Sequence, residues 1–476
     1  MKSHKQNITM KTIHRLFFAG LMMGAGSIAS AQGLRTAYFS DSYIYRHQMN
    51  PALANESGYV AMPVLGNINV NMGLNFGIKD FIYKDGKGGL TTFMNKDVVS
   101  TQTFTDNLQD VSKTNLTFDM QILSVGFNAG KGYNTIDVGV HTRFGFALPK
   151  DLFVFMKEMQ SDKAYSFTDL NAQGMAWADV ALGHSREVID NLRVGAKVKL
   201  LFGLAYADAR FNDCSARFGS DAWDMSMNGD VKLAGGGYWT TDKDGLVDGY
   251  EDFTPGINGF GMAFDLGATY DMKDLVDGLK LSAAITDLGW INWDLQMAST
   301  SGQPFRFEGF SELGLHDDGD RPTLKQQWEG YDKDGQHING IKEDLEAMYE
   351  LRPNVDAKEA LGIGATLTLG AEYELPMYKK VSFGLLYTGR YQNYLSYNEG
   401  RVNVNYAPSK LFDLSLSAAV TTFGSTVGAT ANLHCPGFDI FLGTDRFYTK
   451  TMNKDFIPLE KGGINFAMGI AFPFGF

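Results

Sequence analysis

The end of the chain constrains its fold more than any other stretch. From Ile464 the residues alternate strictly. Ile464, Phe466, Met468, Ile470, Phe472, Phe474 and Phe476 share one face, while Asn465, Ala467, Gly469, Ala471, Pro473 and Gly475 share the other. Successive side chains of a strand point to opposite sides, so this is a ribbon with one large apolar face and one small or polar face. A half-buried strand of a water-soluble sheet shows the same alternation. The rest of the chain has to decide between that setting and a membrane.

The alternation recurs along most of the sequence. Leu192, Val194, Ala196, Val198 and Leu200 alternate with Arg193, Gly195, Lys197 and Lys199, and comparable runs begin near residues 361, 381 and 411. These runs match the ~9–11 residues that a tilted membrane strand needs. Their second face carries Gly, Ser, Thr and charge, as a water-filled lumen requires. Open sheet edges are forbidden in lipid and closure removes them, so a barrel is the form such strands would take. No stretch approaches the ~18 consecutive apolar residues of a spanning helix. Aromatic residues make up 13% of the chain, and mean hydropathy is slightly negative, which suits strands with one face in water.

Loop lengths sort by parity. The connections at 186–191, 271–278, 375–379, 407–410 and 434–437 are short. Those at 79–114, 149–173, 235–256, 296–357 and 446–461 are long, with two tight tips near Tyr394 and Gly424. Outer-membrane barrels show this asymmetry, with short turns inside and long loops outside. The expected fold is therefore an all-β transmembrane antiparallel barrel of about 14 strands, within a range of roughly 12–16. The segments at 208–218 and 222–234, rich in Asp, read as weak strands of a long hairpin tip. The loop 296–357 is acidic, with Asp317, Asp318 and Asp320 close together and a helical patch from Ile341 to Tyr349.

The N-terminus reads as a secretory signal. Lys2, Lys5, Lys11 and Arg15 precede a short apolar run, and Ala29-Ser30-Ala31 is a small-residue cleavage site that places cleavage between Ala31 and Gln32. Its removal takes four positive charges from a chain whose formal net charge is already −12. Such an acidic chain is unsuited to nucleic acid. The expected division is a signal peptide at 1–31, an N-terminal segment at 32–57 and a barrel at 58–476. Cys214 and Cys435 could pair in an oxidising compartment or remain as two thiols.

Two resemblances follow from these residues. The closing run with Phe472, Phe474 and a terminal Phe476 resembles the C-terminal strand of Gram-negative outer-membrane barrels, which implies recognition by the barrel-assembly machinery and residence in the outer membrane. Asn50-Pro51-Ala52, ahead of the first strand, resembles the FadL-like clan. In that clan the N-terminal segment folds into the lumen as a plug. The stretches Leu192–Lys199, Phe146–Phe153 and Gly259–Gly267, with Thr286–Trp290, look like a separate branch of that clan, one similar to the PorV and PorQ barrels associated with type IX secretion. The resemblance implies 14 strands, and either a porin-like channel for uptake of small hydrophobic or amphipathic molecules or a non-transporting barrel that docks surface or secreted proteins. Fatty-acid ligand residues cannot be matched one by one. Locally, Asn50-Pro51 is turn-forming, and Tyr38, Phe39, Tyr43 and Tyr45 suit either a compact plug or an arm on the barrel rim.

The remaining chemistry is sparse. GxSxG, HExxH and P-loop motifs are absent, and no enzyme is expected. Asp242, Asp244, Asp248 and Glu251 fall at positions three, five, nine and twelve of an EF-hand-like spacing and are candidate calcium ligands. Thr240 at position one, and the lack of an entering helix, fit an acidic surface turn instead. No other cofactor is expected. Arg193, Lys197 and Lys199 are lumen candidates, set either to attract an anionic head group or to pair with nearby carboxylates. Trp290, Trp293, Tyr387, Tyr391 and Tyr394 fit an interfacial aromatic girdle or simple packing. The expected partners are outer-membrane lipid and a small molecule or surface protein.

Overall fold

The computed structural model describes residues 33–474 apart from 56, 64, 88, 159–161, 255, 310–322, 332–335, 337–339, 394 and 448–461. The signal peptide, Gln32, Tyr394 and Phe476 lie outside the described residues. The chain forms a closed antiparallel barrel of 14 strands. They are β1 (Gly58–Ala61 continuing as Asn67–Leu74), β2 (Val111–Ala129), β3 (Gly132–Pro149), β4 (Leu170–Ile189), β5 (Leu192–Phe218), β6 (Gly259–Asp271) and β7 (Leu279–Thr300), then β8 (Ala357–Gly362 continuing as Ala365–Glu374), β9 (Val381–Tyr391), β10 (Tyr397–Ser409), β11 (Phe412–Thr421), β12 (Gly424–Cys435), β13 (Phe438–Phe447) and β14 (Gly462–Phe474). Each pairs with the next. β14 closes on β1, with Ile68 opposite Met468 and Leu74 opposite Gly462. Where β1 is interrupted, Met62 N donates to the Ile470 carbonyl at 2.9 Å and Ile470 N to the Leu65 carbonyl at 3.0 Å, so that seam stays hydrogen-bonded.

Side-chain direction inverts the rule of water-soluble proteins. On β14, Phe466, Phe472 and Phe474 are exposed, whereas Asn465, Ala467, Gly469 and Ala471 are buried. On β5, Val198 and Leu200 face outward and Gly195 and Lys197 inward. Large apolar residues outside and small or polar ones inside are what lipid on one side and a polar lumen on the other require. Among the described residues no helix is long and apolar enough to cross a membrane.

The wall is taller on one side. β5 is 27 residues long, roughly 90 Å of strand at ~3.3 Å per residue, against a hydrocarbon core of ~30 Å. Its first half pairs with β6. Beyond Gly203 the strand Trp223–Ala234 takes the place of β6, pairing with β5 from Tyr206 to Phe218 and with β7 from Gln296 to Ser299. The segment 208–218 is thus the upper part of β5, and 223–234 is a strand of the outer crown. Crown loops fold on themselves. The helix Thr101–Asn107 is capped by the Ser100 hydroxyl and seats Phe104 against Phe93 and Leu108. The helix Ile341–Tyr349 forms where the pattern placed it.

The structure decides between two pairs of alternatives. Cys214 packs with Tyr165 and Phe167 in the crown, whereas Cys435 ends β12 at the opposite end of the barrel, so both are free thiols. Trp290 and Trp293 do not share a girdle. An odd spacing puts them on opposite faces: Trp290 is exposed on the outside and Trp293 fully buried on the inside.

Candidate functional site: the plugged lumen

Residues from Gly33 to the start of β1 lie inside the barrel. Two short 3-10 turns, Arg35–Ala37 and Ile44–Gln48, fold the segment into a compact body. Tyr38, Phe39, Tyr43 and Tyr45 form its core with Tyr59 and Phe441 of the wall, Tyr43 meeting Phe441 edge-on at 5.0 Å between centroids.

Asn50, Pro51 and Ala52 seat this body against β5 and β6. The Asn50 Oδ1 accepts from Ala52 N at 2.9 Å, closing an Asx turn that Pro51 stiffens. Its Nδ2 donates to the Tyr38 hydroxyl at 3.2 Å and the Ala268 carbonyl at 3.4 Å. The receiving notch is floored by Gly195 and Gly267, which face each other across the two strands. A Cβ on Gly267 would stand 2.0 Å from Asn50 Oδ1, and one on Gly195 2.3 Å from the Pro51 carbonyl. Both glycines are there because backbone must approach backbone. The small-residue face of these strands is therefore complementary to the plug, a function that alternation alone did not reveal.

Polar anchors hold the rest. Asp445 accepts from Arg35 N at 2.9 Å, and from Thr36 N and the Thr36 hydroxyl at 2.7 Å each. The Arg35 guanidinium meets Glu399 at 3.0 Å and the Tyr397 hydroxyl, while Arg401 meets the other Glu399 oxygen at 2.7 Å. Ser40 donates to Asp413 at 2.9 Å. His47 lies 3.3 Å from Asp137, which also holds Lys197 at 2.8 Å. Burial, reinforced by the neighbouring Lys197 charge, pushes the His47 imidazole down to about 3, so it is neutral near pH 7.

Above the plug lies a cavity of about 80 Å3, floored in part by Gly33, Arg35, Tyr38 and Met49. At ~10–15 Å3 of such space per water, it holds several waters. Its walls are polar. Arg143 meets Asp119 at 2.6 Å, and His141 bridges Asp119 and Asp179 while stacking on Trp177. Lys199 meets Asp265 at 2.9 Å and Asp287 at 2.6 Å. Thr286, Thr366, Thr368 and Thr388 present hydroxyls from β7, β8 and β9. Toward the crown, Met175, Leu201, Tyr206, Trp293 and Ile363 form an apolar layer.

Lys197 and Lys199 thus face the lumen and pair with wall carboxylates. Arg193 sits near the short-turn end, 3.3 Å from Ser185 Oγ. Asp242, Asp244, Asp248 and Glu251 do not converge. They are strung along a hairpin of Tyr238–Thr241 and Val247–Glu251, and Asp242 Oδ1 caps the turn by accepting from Asp244 N and Leu246 N. Among the described residues no group of three or more His, Cys, Asp or Glu could hold a metal ion. The candidate calcium loop is thus an acidic β-turn. Asp119, Arg143, Asp179, Asp287, Glu399 and Asp445 were not singled out beforehand. Their signal was present: each is a charge on the inward parity of a strand whose other face is apolar.

The chain belongs to a family of unknown function (DUF5723), whose model matches residues 51–445. No curated protein matches it. Among solved structures it is similar to a deltaS2 mutant of the TodX monoaromatic hydrocarbon channel, at 10% identity and TM-score 0.43, covering 95% of this chain and 96% of that one. It is also similar to the Pseudomonas putida toluene transporter TodX, at 10% identity and TM-score 0.40, covering 90% and 92%. A Pseudomonas aeruginosa FadL homologue is 13% identical with TM-score 0.41, covering 94% and 96%.

Proposed function

We propose that this member of the family is an outer-membrane uptake channel of the FadL-like kind, held shut by its own N-terminal segment, for small amphipathic or polar solutes. The observation that carries the reading is the polar chamber, large enough for several waters, directly above the N-terminal plug. A chamber lined by ion pairs and threonines stabilises solutes that carry polar groups, and desolvating those walls disfavours a bare hydrocarbon. Apolar residues nearby, Met175, Trp293 and Ile363, would meet a nonpolar portion. The outward apolar band supports residence in the outer membrane of a Gram-negative cell, and the N-terminal sequence supports export by a cleaved signal.

Liposome swelling with the full-length barrel tests this. Loosening the plug through Asp445→Ala or Gly267→Ala is expected to raise permeability to small solutes. Unchanged flux, in variants whose plug is shown by hydrogen exchange to be released, would sink the channel reading.

A second reading is supported by the crown. Loops with their own cores and a wall that continues past the membrane suit a PorV-like barrel that docks a surface or secreted protein. Replacing residues 301–356 by a short turn would then abolish capture of a partner from solubilised membranes while leaving flux intact.

A further inference from the structure

Apart from Arg193 at the short-turn end, the lumen cations described above have carboxylate partners. Arg35 and Arg401 share Glu399, Arg143 holds Asp119, Lys197 holds Asp137, and Lys199 holds Asp265 and Asp287. Arg390 and Arg446 depart from this. Each is 2% exposed. Neither forms an ion pair among the described residues. Arg390 donates to the Ile363 carbonyl at 2.9 Å, and its Nε has no acceptor. The Arg446 guanidinium stacks over Phe423 at 5.5 Å, and its Nε and Nη1 have no acceptor.

A buried cation without a direct ion pair is costly, even with Asp287 and Asp119 within electrostatic reach of Arg390 and Glu399 within that of Arg446, and cations held inside a membrane protein mark solute paths. Both residues sit where the sheet is irregular. Arg390 faces the break in β8 between Gly362 and Ala365, where Ile363 offers a carbonyl free of the ladder. Arg446 lies in a bulge of β13 between Thr444 and Phe447, which turns the consecutive Asp445 and Arg446 both inward. Tyr397 stands opposite Arg390 in the register of β9 and β10, and its hydroxyl meets Arg35, whose backbone is held by Asp445 beside Arg446. The chamber leads toward the two guanidiniums, since Thr388, two residues from Arg390 on the same strand face, and Arg35, bound to Tyr397, line it.

We propose that Arg390 and Arg446 are an anion-binding station on the outer rim of the chamber, which takes the phosphate or carboxylate group of a small solute. The wall supplies counter-ions to its other cations and leaves these two guanidinium forks for a ligand, whose oxygens they would meet in charge-assisted hydrogen bonds. The inference rests on the channel reading and names the charge class of the cargo.

The test is thermal unfolding of the full-length refolded barrel in detergent, titrated with inorganic phosphate at constant ionic strength set with chloride. Phosphate is expected to raise Tm saturably. Arg390→Gln and Arg446→Gln should each weaken the apparent phosphate affinity about tenfold or more, and each should raise the phosphate-free Tm, because an unpaired buried charge has gone. Arg217→Gln in the exposed crown should change neither quantity. If Gln prevents refolding, the Lys variants read the same loss, since they keep the charge and lose the fork. A shift that is absent, or that survives in the double variant, overturns the proposal. So does a fall in phosphate-free Tm, which would mark both arginines as structural. A phosphate shift in a barrel without solute flux keeps the station and discards transport. Flux with no phosphate shift does the reverse.

Discussion

Replacing Gly267 by alanine perturbs one atom and tests the plug directly. The new Cβ would stand 2.0 Å from Asn50 Oδ1 and 2.9 Å from Pro51 Cδ. Neither partner is a flexible side-chain end, because Oδ1 is held by Ala52 N and Pro51 is a ring. Overpacking of this kind costs about 1–3 kcal/mol. Retreat of Asn50 also weakens its hydrogen bonds to Ala52, Tyr38 and Ala268, at a net ~1 kcal/mol for each one lost. A total of about 2–4 kcal/mol is expected, or roughly 30- to 700-fold more frequent local opening at 1.4 kcal/mol per decade. Hydrogen exchange of amides 33–57 in the refolded barrel reads that factor, while amides of β5 and β6 should hold their protection. Gly400→Ala is the control, since a Cβ there meets nothing within 4 Å. Adding Asn50→Ala to Gly267→Ala removes the closest clash and should recover part of the loss, a coupling that a double-mutant cycle isolates. Plug exchange in Gly267→Ala no faster than in the Gly400 control would refute the notch.

Three further outcomes follow. His47 is neutral in the docked plug, its value pushed down to about 3 from about 6.5; the released plug binds the extra proton, so docking stability is intact above pH ~6.5 and falls as pH drops toward 3, by at most ~1.4 kcal/mol per unit. Exchange of the plug measured between pH 7.5 and 4.5 should show this loss, and His47→Gln should flatten it. Asp445→Ala leaves Arg35 N and Thr36 N without their acceptor, while the Thr36 hydroxyl can turn to Ser417 Oγ, which should weaken docking by about 2 kcal/mol or more and expose residues 33–38 to proteolysis ahead of 44–52. Trp293→Ala should destabilise the barrel by about 3–5 kcal/mol in urea unfolding, whereas Trp290→Ala on the lipid face should change stability much less; equal effects would contradict the opposite orientations.

The architecture was legible because a membrane barrel writes a period of two along nearly every strand. Lipid demands large apolar residues at Phe466, Phe472 and Leu200, and the lumen tolerates almost anything small or polar opposite them. Loop parity then told the two ends of the barrel apart, and the Ile341–Tyr349 helix was readable from its spacing. The capping box at Thr323 and Gln326, with Gly330 in the left-handed region closing the helix Leu324–Glu329, carried a local signal that passed unread. The lumen was less legible for a physical reason. Which charge meets which depends on shear and on bulges such as those near Phe264 and Asp445, and a shift of one residue changes every cross-strand partner. Lys197 and Lys199 could be placed on the inner face, but their carboxylates lie 60 and 88 residues away in sequence. The same parity, applied strictly, separates Trp290 from Trp293.

Wall and plug are stabilised by different physics, and that difference is what permits motion. The wall rests on a closed ladder of backbone hydrogen bonds, sealed by the pairing of Gly58–Ala61 and Ile68–Leu74 with β14. None of those bonds involves residues 33–57. The plug is held by side-chain hydrogen bonds, buried ion pairs and close packing on glycine. An intact buried ion pair contributes little net stability, because desolvation offsets most of the attraction. When Arg35 leaves Glu399, water can enter beside the chamber and solvate both partners, so release avoids the penalty of stranding a dry charge. Displacing the plug therefore breaks no strand pairing, and it exposes Tyr59, Tyr133, Leu386 and Phe441 of the wall along with its polar groups. At its C-terminal end the segment passes into β1 at Gly58, so release of the plug would hinge just before that strand. Asn50, Pro51 and Ala52, set just before that hinge in the Gly195–Gly267 notch, are where a small displacement of the backbone decides whether the body above stays seated.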